Sequence, residues 1–399
     1  MSEQRGQRTS HPTPWRRLAV VGAALAGALS SVGLWDLSAN AATCGAATDA
    51  RPPSNDPATL TAAFDGAPDG LQGADYQRAI DLPDGRRLWT FQDAFVARPG
   101  RSDTLVHNVA VVEHAGCFDL VHGGSTDRPA PWLAAAETMR HQRWFWPMGA
   151  ALPGDGTVRI FLAEFVEFGS HYLDEAAPVA TWVATVDATT LEQRSLEPAP
   201  NPGSDLYGWS VARGGRHTYL YGHCYRQFGT GLLGHDQCTG SVTVARTSHE
   251  LTAPLEYWDG ARWTSDASAA ANIAPSWAPD GRPRAVNPSQ FAWVGARWVS
   301  VTKEGDWWGD RIYVDVATRP TGPWTTVQTI EVPAETSEVN NYFASIVDVT
   351  ERGIVMGLSH NRWDGVQSSV YRPTFAEVLL PTAGRPNTMA STKLGAIPS

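Results

Sequence analysis

Between about residues 71 and 381 the chain runs in short apolar stretches, alternating or continuous, broken by Gly, Pro, Asp and Asn. Val, Ile, Tyr, Trp and Phe fill these stretches, and almost nothing in the region carries a helical period. Such runs, bounded by turn residues, predict many short β-strands. They fall into five groups of about four. The first is "YQRAIDL", "LWTFQDAF", "HNVAVVEH" and "CFDLVHGG". The others open near Phe145, Tyr207, Pro288 and Tyr342. Repeated four-stranded units predict an all-β fold, a five-bladed β-propeller of four-stranded antiparallel blades, whose radial stacking buries both faces of each sheet. A two-sheet sandwich is the rival. It leaves unexplained why each group opens with an apolar strand, turns quickly and closes with an outer strand such as "EYWDGARW".

The flanks read differently. A basic stretch ending in Arg16–Arg17 precedes the apolar run "LAVVGAALAGAL", and Ala39 and Ala41 satisfy the small-residue cleavage rule. Residues 1–41 therefore read as a signal peptide, twin-arginine-like or general, and the mature protein is expected to be secreted. The apolar run falls short of the roughly 18–20 residues a membrane span needs, so no membrane insertion is expected after cleavage. Residues 42–70, rich in Ala, Pro, Asp and Gly, read as a loose leading segment. Residues 71–381 form the propeller domain, and 382–399 a flexible tail.

Composition narrows the partners. The formal net charge is −10, and cleavage of the arginine-bearing signal makes the mature chain more acidic still. An acidic exported protein without a basic cluster is a poor ligand for nucleic acid or anionic membranes. All four cysteines lie beyond residue 41. An even count in an exported chain suggests two disulfides. Cys224 and Cys238 flank a Gly-rich excursion and pair most naturally with each other, which leaves Cys44 with Cys117. None of them has the close spacing of zinc ligands. No cofactor motif is present, a central calcium is left open, and a monomer is expected.

The candidate chemistry comes from the first hairpin. In "GADYQRAIDLPDGRRLWTFQDAF", residues 73–95, the Asp-Gly pair at 84–85 is a strong hairpin signal. Asp75 and Asp93 stand at equal distances from Asp84, so they are expected to be close to cross-strand partners, with Cβ atoms about 4.5–5.5 Å apart. Two carboxylates held that close repel, so one pKa should rise and one fall, separating an acid from a base or nucleophile. Glycoside hydrolysis needs such a pair. The plainer reading makes them caps at strand ends. Asn108 opens the next strand of the same group, and other blades place Trp146, Glu164, His223, Glu304 and Asn361 on the same rim, a mixture of carboxylate, amide, imidazole and indole that suits a sugar chain. Each also has a structural reading, as strand cap, blade packing or solvated turn.

The motifs "LPDGRRLWTFQDAF", "VHNVAVVEHAG", "RWFWPMGAAL", "YWDGARW", "GPW" and "LSHNRW" resemble the secreted five-bladed propellers of the endo-D-arabinanase type, long known as a domain of unknown function. The likeness spans roughly residues 70–380. It implies a glycoside hydrolase whose catalytic carboxylates are Asp75 and Asp93. This chain departs from that pattern at Ala79, Gln92 and Ala94, where the family tends to place serine, a small residue and threonine. The expectation is a secreted glycosidase acting on a polysaccharide, an arabinan-type furanoside of the actinobacterial cell wall. The alternatives are a non-catalytic carbohydrate-binding propeller and a protein-docking envelope protein.

Overall fold

A computed structural model describes residues 53–66, 68–134, 143–167, 176–199, 205–223, 241–284, 289–304, 309–332, 339–362, 372–381 and 390–393, all within one compact unit, 39–399. The expected signal peptide, 1–41, lies outside these residues, as do Cys44, Cys224 and Cys238. Cys117 is disulfide-bonded.

The described strands form seven sheets, four of them with four or five strands, two with three and one with two. Sheet 1 orders Arg78–Asp81, Arg87–Phe91, Val109–His114 and Cys117–Val121. Sheet 2 orders Arg143–Ala151, Thr157–Glu167, Ala176–Asp187 and Gln193–Pro198. Sheet 3 runs from Ser210–Gly214 through His217–His223 and Val242–Ser248 to the small hairpin Glu256–Trp258 and Trp263–Thr264. Sheet 4 holds Gln290–Val294, Arg297–Lys303, Arg311–Ala317 and Thr325–Glu331, and sheet 5 holds Val339–Val349, Gly353–Arg362 and Thr374–Leu379. Within each, sequential strands pair antiparallel.

Each sheet is apolar on both faces because each is covered on both. Leu88 and Val112 of sheet 1 meet Ile160 and Leu162 of sheet 2. Trp146 and Phe161 meet Trp209 and Leu220 of sheet 3. Tyr221 and Val244 meet Phe291 and Trp298 of sheet 4. Val299 and Val314 meet Ala344 and Met356 of sheet 5. Val355 and Phe375 of sheet 5 then share a cluster with Trp89 and Val111 of sheet 1. Covering of this kind turns strict alternation into near-continuous burial, as in Thr157–Glu167. Each fully buried Phe, Leu or Val contributes about 1.5–3 kcal/mol relative to exposure.

Both flanks correct the sequence reading. Residues 57–65 of the expected loose leading segment are an α-helix, Pro57–Asp65. Asp56 caps it by accepting the Thr59 N–H at 2.9 Å, and Pro57 stands at the first turn, where its missing N–H costs nothing. Leu60 and Phe64 plunge into the seam between sheets 5 and 1, where Phe64 sits edge-on to Trp89 at 5.2 Å. Thr61 Oγ1 accepts the Phe375 N–H at 3.1 Å. Within the expected flexible tail, Ala390–Lys393 adds a parallel strand to the Thr325–Glu331 edge of sheet 4. Among the described residues no helix is long and apolar enough to cross a membrane.

Candidate functional site

The first hairpin is longer than one blade strand pair. "LWTFQDAF" was expected as a single strand; it breaks at Gln92–Asp93 into Arg87–Phe91 of sheet 1 and Ala94–Arg98 of a separate three-stranded sheet, with Leu71–Ala74 and Arg101–Val106 as its other members. Pro83, Asp84 and Gly85 make the turn. Leu82 N–H reaches the Arg86 carbonyl at 2.7 Å, and Gly85 takes φ 88°, a conformation glycine adopts without steric cost. The register then holds across both sheets: Arg78 faces Thr90, and Ala74 faces Ala94. Asp75 and Asp93 lie opposite each other at the junction.

The ladder is distorted there. Asp75 N–H donates to the Asp93 carbonyl at 3.0 Å, and Gln92 N–H donates to the Asp75 carbonyl at 3.1 Å. Asp93 N–H turns instead to Asp75 Oδ1, at 3.0 Å. The kink is absorbed by Tyr76, whose φ of 51° is left-handed, at a strain of about 1–3 kcal/mol for a bulky residue. Surroundings hold it: its N–H donates to Ser359 Oγ at 2.9 Å, and its ring stacks on Phe343 at 4.6 Å.

Asp75 is buried. Burial first, and the Asp93 charge second, push its pKa up to about 8, against the opposing pull of Asp93 N–H, the Tyr342 hydroxyl and Arg78. Tyr342 OH donates to Asp75 Oδ2 at 2.9 Å. Asp93 has different company. Its Oδ1 accepts Trp146 Nε1–H at 2.9 Å and stands 3.1 Å from His107 Nδ1. The His107 ring is stacked on Trp144 at 4.6 Å, and Trp146 lies against Phe165 at 4.2 Å. One carboxyl thus sits in a desolvated niche against a phenol, the other against two ring nitrogens.

The remaining candidates divide. Trp146 is buried and spends its indole N–H on Asp93, so it orients a carboxylate instead of presenting a sugar platform. Asn108 is a correction. It is fully buried and fully used: Nδ2 donates to the carbonyls of Leu133 at 2.9 Å and Phe145 at 3.0 Å, while Oδ1 accepts Leu133 N–H at 2.7 Å. It staples strands and has no group left for substrate. Glu164 alternates with Phe165, so it faces away from the Trp146 cluster, and it accepts from Arg143 at 2.6 Å and Trp182 at 2.8 Å. His223 is buried, and desolvation pulls its pKa down to about 4, which keeps it neutral. Glu304 accepts from Tyr313 OH at 3.0 Å. The side chain of Asn361 lies outside the described residues; its backbone pairs with Asn340.

Sequence reasoning missed several residues here. Arg78 occupies the apolar phase of its strand, two residues before Ile80, and a charge in that phase signals burial. Gln77 accepts Ser359 Oγ–H at 2.5 Å and donates to Ser345 Oγ at 3.1 Å, tying the hairpin to sheet 5. His107 was overlooked beside Asn108. The departures at 79, 92 and 94 are explained by packing. Ala94 is fully buried and Ala79 packs on the same cluster, while Gln92 Nε2–H donates to the Pro147 carbonyl at 3.2 Å. Among the described residues no cluster of His, Cys, Asp and Glu is arranged to hold a metal ion.

Known proteins resemble this chain in fold more than in sequence. A protein from Bacteroides ovatus, provisionally named a hydrolase, is 17% identical and superposes with a TM-score of 0.60 over 79% of this chain and 87% of its own. A GH43 enzyme from Xanthomonas citri is 14% identical, with a TM-score of 0.47 over 82% and 93%. A GH43 endo-arabinanase from Bacillus licheniformis is 10% identical, with a TM-score of 0.44 over 79% and 98%. No curated protein matches the sequence. The sequence itself, over residues 63–382, matches the family described as Domain of unknown function (DUF5005), and the chain belongs to that family.

Proposed function

We propose that the protein is an exported glycoside hydrolase built as a five-bladed propeller, with sheets 1–5 as the blades and Asp75 and Asp93 as the catalytic pair. The convergence of opening strands supports the propeller. Tyr76 touches Trp209, Tyr342 and Phe343; Arg78 reaches Pro147; and Gln290 donates to the Trp209 carbonyl at 3.4 Å. Residues from sheets 1–5 or their leading turns are thus linked by successive contacts, as the inner strands of a propeller would be. The signal-like residues 1–41 support export, and the acidic charge a glycan partner over nucleic acid.

The observation that carries the function is the in-register aspartate pair with unlike surroundings. Asp75, holding its proton near neutral pH, donates it to the leaving glycosidic oxygen. Asp93, oriented by Trp146 and His107, attacks the anomeric carbon or takes a proton from water there. This division of labour is the one glycosidases require. An arabinan-type furanoside of the cell wall is the proposed substrate, on the strength of the first-hairpin motif.

The test is to incubate the mature protein with arabinan and follow released oligosaccharide. Asp75→Asn and Asp93→Asn should each cut release by about 10²–10⁴-fold, the usual contribution of a positioned acid or base. Wild-type release by either variant refutes the assignment. Binding without release by the unmodified protein favours a lectin-like role.

A further inference from the structure

We propose that Arg78 is a positioning residue that fastens the two aspartates into one unit, a role that rests on the catalytic reading above. Arg78 Nη1 donates to two carbonyls, Tyr76 at 3.1 Å and Pro147 at 3.0 Å. Each belongs to the neighbour of a residue that matters. Tyr76 follows Asp75 and carries the kink. Pro147 follows Trp146, whose indole holds Asp93. Gln92, just before Asp93, donates to the same Pro147 carbonyl. One nitrogen therefore links the backbone that aims Asp75 to the strand that aims Asp93, across two sheets.

The setting is costly for a mere spacer. The guanidinium is buried, with its Cζ 4.8 Å from the centre of the Phe343 ring and 5.2 Å from that of Trp209. Among the described residues its Nε and Nη2 have no hydrogen-bond partner. Burying a charge without full pairing costs several kcal/mol, and an apolar residue of similar volume is often the more stable choice. Attraction to the ring faces recovers only part of that cost. The charge also faces Asp75, where it opposes burial and the Asp93 charge; Tyr342 is the other titratable group against Asp75, and His107 stands against Asp93. Arg78 accordingly does two things at once. It fixes geometry through Nη1, and its charge is one of the pulls that oppose the rise of the Asp75 pKa.

Arg78→Met and Arg78→Lys separate these effects. Asp75 is followed directly by carboxyl ¹³C NMR titration, its signal assigned by its loss in Asp75→Asn, and activity by kcat and KM on arabinan. In R78M the Asp75 midpoint should rise by about one pH unit, as loss of a neighbouring opposite charge dictates, and kcat should fall at least about tenfold with KM nearly unchanged. In R78K the charge stays and the rigid planar fork is lost, so the midpoint holds while kcat falls. A folded R78M with an unchanged midpoint or wild-type kcat overturns the proposal. Should R78M fail to fold, wild-type kcat in R78K overturns it alone. If the unmodified protein releases nothing from arabinan, the catalytic reading fails, while the NMR titration still decides whether Arg78 sets the state of Asp75.

Discussion

Replacing Asp75 by Asn should make the protein more stable at alkaline pH while disabling it. An unfolded aspartate ionises near pH 3.9. In the fold, Asp75 holds its proton until about pH 8. Below about pH 4 both states are protonated and the side chain contributes no pH dependence. Above that, the unfolded chain releases a proton that the folded one keeps. Stability therefore drains away as pH rises toward the folded midpoint, at about 1.4 kcal/mol per pH unit. Across the window the limit is roughly 6 kcal/mol, and relaxation around a buried pair reduces it to about 3–5 kcal/mol. Asparagine keeps the oxygen that accepts Asp93 N–H, and its amide can donate to the Tyr342 oxygen. It removes the ionisation. For a domain of this size the gain corresponds to about 4–7 °C in Tm. Thermal melts of the mature wild type and D75N at pH 4.5 and 8.5 check this. The two should coincide or favour wild type in acid, and D75N should melt higher in base. Glu113, Asp69 and Asp205, also raised by burial, are common to both proteins and cancel in the difference. Parallel Tm-against-pH lines refute the reasoning.

Two further outcomes follow from buried polar groups. Asn108→Ala should cost about 3–4 kcal/mol, because three backbone groups lose their partner where water does not reach; denaturant unfolding measures this, and glycan affinity in the folded variant should not change. His223→Gln should flatten the acid limb of stability. The folded imidazole stays neutral to about pH 4, whereas an unfolded one charges near 6.5. Its contribution is full above pH 6.5 and lost as pH falls through 4, so melts at pH 7 and pH 4.5 should differ less in H223Q than in wild type.

Most strands were legible because period-two runs and Gly-containing turns agree locally. The Asp84–Gly85 turn set a register that persists to Ala74 and Ala94, so the opposition of Asp75 and Asp93 could be counted from the chain alone. What escaped was decided by tertiary contact. Helix Pro57–Asp65 has only Leu60 and Phe64 as buried anchors, too few to show a period, and it exists because the seam between sheets 5 and 1 needs a cover. Strand Ala390–Lys393 is small and polar. Its pairing is backbone to backbone, which leaves no side-chain trace. The break of "LWTFQDAF" into two sheets follows from the left-handed Tyr76 across the ribbon, and nothing in that residue's identity announces it. Asn108 and Glu164 read as rim ligands because an amide and a carboxylate look alike whether they face solvent or staple a strand.

The hydrogen bonds from Tyr76 N–H to Ser359 Oγ and from Tyr342 OH to Asp75 join residues 283 and 267 positions apart in the chain. The surroundings of the carboxyl pair are thus completed by sheet 5, which follows the acid-bearing hairpin by more than 240 residues. A chain that ends before sheet 5 has the two acids but not the phenol and hydroxyl that set them. The setting of the two acids is therefore acquired late, once sheet 5 docks on the first hairpin.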